Sequence, residues 1–366
     1  MPSTPSRFRF SSSSTKEKAS GVHRHYAHSP VVSPLIRQEE FLSGGQNNHP
    51  IEEDDEVHCM NNLTKISNLL QAKPKNLLRL QPTEDGVRGV YLNRPVREGD
   101  IIFSIPLSSC LTDDSPPSWL TAKDVRHNPN KWATRLSASL IDLQLRKQEG
   151  LIDEGRELWL SLLPDEGYLR ASLPVHWPED ILDSARCTAL ELAVDRSYFA
   201  RAEATEDLID ALDNCSFANG LQDEQLRDMC SNALDLVQTR TCRPVPEDDN
   251  LRFNLGPPLR VLAPVFDFIN HGSAICGGGS VANAEFGLES SADETHIFIR
   301  AKSNLKEGEE ILLDYGESAR PAWNCLASYG FVPQQKLIPA PGQSTTDDDD
   351  DENLAEIYMN GLRFEV

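Results

Sequence analysis

The spacing of apolar positions changes twice along the chain. Between about residues 74 and 112 they come in short runs: Leu77-Leu78-Arg79-Leu80, Val90-Tyr91-Leu92, and Ile101-Ile102-Phe103-Ser104-Ile105. The last run follows the charged turn Val96-Arg97-Glu98-Gly99-Asp100. Short runs bounded by Gly, Asp and Pro predict β-strands. From about 130 to 245 the spacing becomes helical. Trp132, Leu136, Leu140, Ile141 and Leu143 fall on one face, as do Leu226, Met229, Ala233, Leu234 and Val237. Pro164, Pro174 and Pro178 divide this stretch into separate helices, because proline lacks the backbone donor a helix interior needs. From about 258 to 333 strands return. Val261-Leu262 leads into Pro264-Val265-Phe266-Asp267, His296 to Arg300 alternates weakly, and Ile311 to Tyr315 forms an apolar run. The turn Leu305-Lys306-Glu307-Gly308-Glu309 repeats the device seen at Val96. The pattern predicts an α+β protein: one discontinuous β domain hosting a long helical excursion.

Composition sharpens the ends of this picture. The chain has 366 residues, with 57 acids against 35 Lys plus Arg and a formal net charge of -22. Affinity for phosphate backbones rests on Lys and Arg, so the balance argues against nucleic acid and suits a basic protein segment as partner, unless it serves solubility alone. No run approaches the length of a membrane span. The eight cysteines are scattered without a CxxC pair, whereas a structural zinc site wants paired ligands, so no metal is expected. Single cysteines suit a reducing compartment. Residues 1–56 read as a disordered tail. Ser11 to Ser14, six Lys or Arg and the single acid Glu17 within the first 38 residues also resemble an organellar transit peptide. His23, His25 and His28 in that tail could meet a metal only by accident of composition. Residues 334–366 read as an acidic tail, with a run of six acids from Asp347 to Glu352. Between the tails the expected division is 57–129, a first β segment; 130–253, the helical insertion; and 254–333, a second β segment carrying the chemistry. A monomer is expected.

Three clusters carry candidate chemistry. In Asp267-Phe268-Ile269-Asn270-His271-Gly272, an amide and an imidazole follow a run read as a strand. Such groups can grip a zwitterionic ligand, or simply cap a turn. In Ile311-Leu312-Leu313-Asp314-Tyr315-Gly316, a tyrosine ends an apolar run and can project its hydroxyl into a pocket. In Tyr329-Gly330-Phe331, two aromatic faces can stack on a base, narrow a channel or fill core.

Taken in order, these clusters and the turn Gly86-Val87-Arg88-Gly89 before them resemble SET-domain protein methyltransferases. The long helical insert is similar to the subfamily that includes the Rubisco large-subunit lysine methyltransferase and the actin histidine methyltransferase. The resemblance covers roughly residues 57 to 333. It implies a SET-domain β-fold of small curved sheets with a pseudoknot, its C-terminal segment threaded beneath a loop. It implies S-adenosylmethionine as cofactor and methylation of a lysine side chain in a protein. It implies that Arg88, Arg240, Asp267, Asn270, His271 and Phe331 hold the cofactor, that Tyr329 lines the target channel and that Tyr315 is the catalytic residue. Two features depart from the family. The Ser-Asn step that usually follows the active-site tyrosine is replaced by Glu317-Ser318-Ala319-Arg320-Pro321, with Pro321 able to open a helix. Relatives continue into a helical domain that docks the protein substrate, whereas 33 residues follow Pro333 here, so the expectation is either that the substrate is recognised by other means or that the sequence is cut short before that domain. These departures keep open a SET-fold binding or scaffold protein with little activity, and a histidine N-methyltransferase remains a third reading. A hydrolase built from Cys276 or Cys325 with His271 or His296 lacks any supporting signature.

Overall fold

A computed structural model describes residues 63–82, 88–246, 259–272, 274–275, 279–290, 294–316 and 321–332. The expected tails, Gly86-Val87, Cys276 and the step 317–320 lie outside these residues.

The first β segment is a hairpin. Strands β1 (Leu78–Pro82) and β2 (Arg88–Leu92) pair antiparallel, with Leu80 opposite Val90 and Pro82 opposite Arg88. Leu78, Leu80, Val90 and Leu92 are buried while Arg79 and Tyr91 between them are half-buried, which is the period-two pattern of a strand on a core. Strand β3 (Ile101–Pro106) follows the Gly99 turn. It joins a four-stranded sheet ordered β3-β11-β10-β5, where β5 is Val245–Pro246, β10 is Ala284–Ser290 and β11 is Thr295–Ala301. Smaller pairs complete the β framework. Leu111–Thr112 (β4) pairs with Val261–Leu262 (β6), and Ala274–Ile275 (β8) with Gly279–Ser280 (β9). Asn270–His271 (β7) runs parallel to Leu312–Leu313 (β12).

The repeated turns meet in space. Val96 and Leu305 exchange two backbone hydrogen bonds of 3.0 Å. Gly99 and Gly308 sit at the same step of each turn with φ of 83° and 77°, a left-handed conformation that glycine adopts without a Cβ clash. This pairing brings residues 308–311 along the free edge of β2: Gly308 N donates to Leu92 O at 2.8 Å and Ile311 N to Val90 O at 2.8 Å.

The helical stretch matches the period read from sequence. Helix α1 (Trp132–Gln148) buries Leu136, Leu140, Ile141, Leu143 and Leu145, each stabilising the fold by roughly 1.5–3 kcal/mol through burial. Helix α2 (Glu154–Leu162) begins at Asp153, whose side chain accepts from Arg156 N. Pro164 separates it from α3 (Glu166–Ser172), capped in the same way by Asp165. The long α4 (Thr188–Leu212) and α5 (Asp223–Arg240) then return the chain to the β framework. A last helix, α6 (Ala322–Tyr329), packs on α4 and α5. Pro321 is its N-cap, one residue before the first helical position, and no side chain caps that end. No helix among the described residues is long and apolar enough to cross a membrane.

Candidate functional site

The parallel pair β7–β12 brings the first two sequence clusters side by side. Asn270 lies opposite Leu312 and His271 opposite Leu313, and Gly272 N donates to Leu313 O at 2.9 Å. Tyr315, two residues beyond β12, therefore arrives over His271. Its backbone N–H donates to His271 Nδ1 at 3.2 Å. That bond requires a bare Nδ1, the neutral imidazole. Burial agrees, holding the His271 pKa below the usual histidine range despite Asp314 nearby.

Asp267 is not at a strand end. Val265 has φ 77°, in the left-handed region, and is fully buried. A β-branched residue in that conformation costs on the order of 1–3 kcal/mol and breaks the run read from sequence as a strand. Phe266–Phe268 instead form a single 3-10 turn, which turns the Asp267 side chain inward. Strand β12 is likewise only two residues long, because the residues before it are held by the edge of β2. Arg88, read as part of a turn, opens β2.

The third cluster completes an aromatic group. Tyr315 lies 5.2 Å from both the His271 and the Tyr329 rings, and 6.3 Å from Phe331. Phe331 is 5.9 Å from His271 and 6.0 Å from Tyr329. These separations fall within the range of favourable ring pairs. The Tyr315 hydroxyl donates to Ile269 O in a short bond, and the Tyr329 hydroxyl donates to Tyr315 O at 3.1 Å. Burial pushes the Tyr315 phenol far above its ordinary pKa, so at neutral pH it is a hydrogen-bond donor. Helix α5 supports this group from behind: Gln238 Nε2 donates to Ala327 O at 3.1 Å, at the end of α6.

Beside the rings lies a charged floor. Arg240, the last residue of α5, donates through Nη1 to Asp267 O. Trp159 Nε1, from α2, donates to Asp267 Oδ2 at 2.9 Å. Asp267 Oδ1 and Arg240 Nε are buried without a partner among the described residues. Burial raises the Asp267 pKa to about 6, with Arg240 and the Trp159 bond opposing. Arg88 reaches across to donate to Leu162 O at 2.7 Å and lies 5.7 Å from the Phe268 ring centre. Asn270 Nδ2 donates to Arg88 O at 3.0 Å and to Glu310 Oε1 at 2.8 Å. All eight expected site residues thus converge. Trp159 and Glu310 join them without having been singled out from the sequence. Trp159 lies inside the stretch read only as helical, and Glu310 in a charged turn.

Half-buried aromatic faces, a neutral imidazole and buried polar atoms of both signs that are unpartnered among the described residues can hold a flat ring system joined to an amino-acid-like group. The comparisons with known proteins agree with this architecture. The family model described as the SET domain matches residues 87–316, and the chain belongs to the SET-domain family. Its fold is similar to the solved SET domain of LSMT bound to lysine and AdoHcy, with 13% identity, 75% of this chain and 57% of that chain covered, and a TM-score of 0.52. It is similar also to the SET domain of LSMT bound to methyllysine and AdoHcy, with 14% identity, 82% and 65% coverage and a TM-score of 0.51. The chain spans less than two thirds of the length of either. No curated protein matches the sequence. The α+β SET fold expected from the motifs is therefore the fold of this protein.

Proposed function

We propose that the chain is an S-adenosylmethionine-dependent protein N-methyltransferase acting on lysine. The observation that carries the reading is the convergence of Tyr315, His271, Tyr329 and Phe331 beside a floor whose Asp267 Oδ1 and Arg240 Nε are buried and unpartnered. Unsatisfied buried polar groups are rare and costly, and a zwitterionic ligand offers both a donor and an acceptor. Asn270, His271, Asp267, Arg240 and Arg88 would hold the amino-acid end and the nucleoside of the cofactor, with Phe331 against the base. The SET family membership supports this, as do the AdoHcy and lysine held by LSMT in the solved neighbours.

When bound, S-adenosylmethionine supplies an activated methyl group for in-line displacement by a nitrogen. The protein's own task is to align the two and exclude water. A lysine must first lose its proton, which costs about 5 kcal/mol at pH 7 for an unperturbed ammonium. A channel walled by Tyr315 and Tyr329 lowers that cost, because removing the ammonium from water disfavours its charged form. Tyr315 does not take the proton: its phenol stays protonated, and its hydroxyl already donates to Ile269 O. Its role is alignment and stabilisation of charge in the transition state.

Two measurements test this reading. Calorimetry with S-adenosylhomocysteine should show binding to the wild type and loss of at least about tenfold in affinity for Asn270→Ala combined with His271→Ala. Equal affinities would remove the site assignment. Transfer of radiolabelled methyl into lysate protein, read by mass spectrometry, should place the label on lysine. Label on histidine would move the target, and binding without any labelled protein would favour the scaffold reading.

A further inference from the structure

The proposed reaction makes no use of a half-buried carboxylate at the site. Glu310 lies on the segment along the edge of β2, and its Oε1 accepts from Asn270 Nδ2 at 2.8 Å. The same nitrogen donates to Arg88 O at 3.0 Å. Two acceptors at one end of a side-chain amide require that end to be the NH2. Asn270 Oδ1 therefore faces the opposite side. Reversing the amide would set its oxygen against a carboxylate and a carbonyl at once, leaving three acceptors without a donor.

Glu310 is itself held in place. Asn283 Nδ2 donates to Glu310 O at 2.8 Å, while Asn283 Oδ1 accepts from Leu312 N at 2.9 Å. Tyr91 adds a hydrogen bond to the carboxylate. Opposite it, a Cβ on Gly89 would overlap Glu310 Oε1, so the close approach of the carboxylate to β2 needs a glycine there. The second glycine of the sequence turn has this physical reason.

We infer that Glu310 is a positioning residue: it locks the Asn270 amide with its oxygen toward the ligand, so that the site selects a ligand carrying an N–H donor, such as an α-ammonium, at that point. The inference rests on the methyltransferase reading and deepens it. Glu310 does not touch the ligand. It acts through Asn270.

The test compares two nucleosides on the full chain. S-adenosylhomocysteine carries an amino-acid end, and 5′-methylthioadenosine lacks it. Glu310→Ala should weaken S-adenosylhomocysteine by about tenfold and leave 5′-methylthioadenosine within a factor of about two. In an Asn270→Ala background the same substitution should add nothing further, because the two residues act as one unit. Glu310→Asp, which keeps the charge but withdraws it by one methylene, should show the same selective loss and serves if the alanine variant does not fold. Equal weakening of both nucleosides, or additive losses with Asn270→Ala, would overturn the positioning role. A wild type that binds neither nucleoside would overturn the methyltransferase reading, whereas a wild type that binds and a Glu310 variant that binds equally well overturns this inference alone.

Discussion

Asp113 and Asp267 are both buried and both meet an arginine, yet their surroundings differ in one respect. Asp113 Oδ2 accepts from Arg135 Nη2 at 2.7 Å, and its Oδ1 accepts from Arg260 N at 2.8 Å. Arg135 Nε also donates to Asp113 O, and its Nη1 to the carbonyls of Val125 and Asn128. Among the described residues, one Asp267 carboxylate oxygen accepts from Trp159 and the other has no partner, while Arg240 donates to the Asp267 backbone oxygen. A closed network ties β4 and the residue before β6 to α1 and is structural. The open one, beside aromatic faces, is where the proposed cofactor would bind. Burial and charge alone do not distinguish architecture from site, and unpartnered atoms do not either, since Ser137, Arg201, Asn232, Thr241 and Asn324 also carry one among the described residues. The candidate site is set apart by open atoms of both signs standing beside an aromatic group.

Three experiments bear on this contrast. The largest effect on the fold is expected from Asp113→Ala, which strands the Arg135 guanidinium in the core and should destabilise the protein by about 3–5 kcal/mol. Chemical denaturation measures it, and a loss below about 1 kcal/mol would mean that the network is not structural. Next, Tyr315→Phe removes one hydroxyl from the proposed centre. Turnover should fall about 10²- to 10³-fold while S-adenosylhomocysteine affinity stays near wild type. Unchanged methyl transfer would remove the alignment role.

The subtlest is Asp267→Asn. The folded-state pKa of Asp267, about 6, is raised above its ordinary value by burial. The folded protein therefore binds that proton more tightly than the unfolded chain does. Its ionisation subtracts stability as pH rises from about 4 through about 6. The neutral isostere should relieve that cost, so stability at pH 7 should hold or rise, opposite in sign to Asp113→Ala. Affinity for S-adenosylhomocysteine should fall by about tenfold and lose its inflection near pH 6. An inflection that persists in the variant would assign it to another group.

Much of the fold was legible because local periodicity reports burial. Leu136, Leu140 and Leu143 mark one face of α1 whatever lies against it, and Pro164, Pro174 and Pro178 interrupt helices for covalent reasons. The turns at Gly99 and Gly308 were visible as a repeated device, but their mutual pairing was not, since nothing local says which of two similar turns will meet. The strand expected through Phe266 failed where Val265 enters the left-handed region, a conformation its composition disfavours and only its buried neighbours impose. Trp159 and Glu310 were equally opaque. Each is ordinary in its own segment and acquires meaning from residues more than thirty positions away.

The motif order, the Gly86-to-Gly89 turn before Asn270-His271, then Tyr315 and then Tyr329-Gly330-Phe331, indicated the family, and a parallel two-residue pair and a short helix bring the last three groups together. What sequence alone determined was therefore which side chains could form a site, but not in which elements they stand: Asp267 lies in a 3-10 turn and Arg88 on β2. Tertiary structure decided which polar atoms remain unpaired there, because hydrogen-bond satisfaction is a property of three-dimensional neighbours. Among the described residues Asp267 Oδ1 and Arg240 Nε are unpartnered, and Asn270 has a fixed amide, because α2, α5 and the edge of β2 arrive where they do.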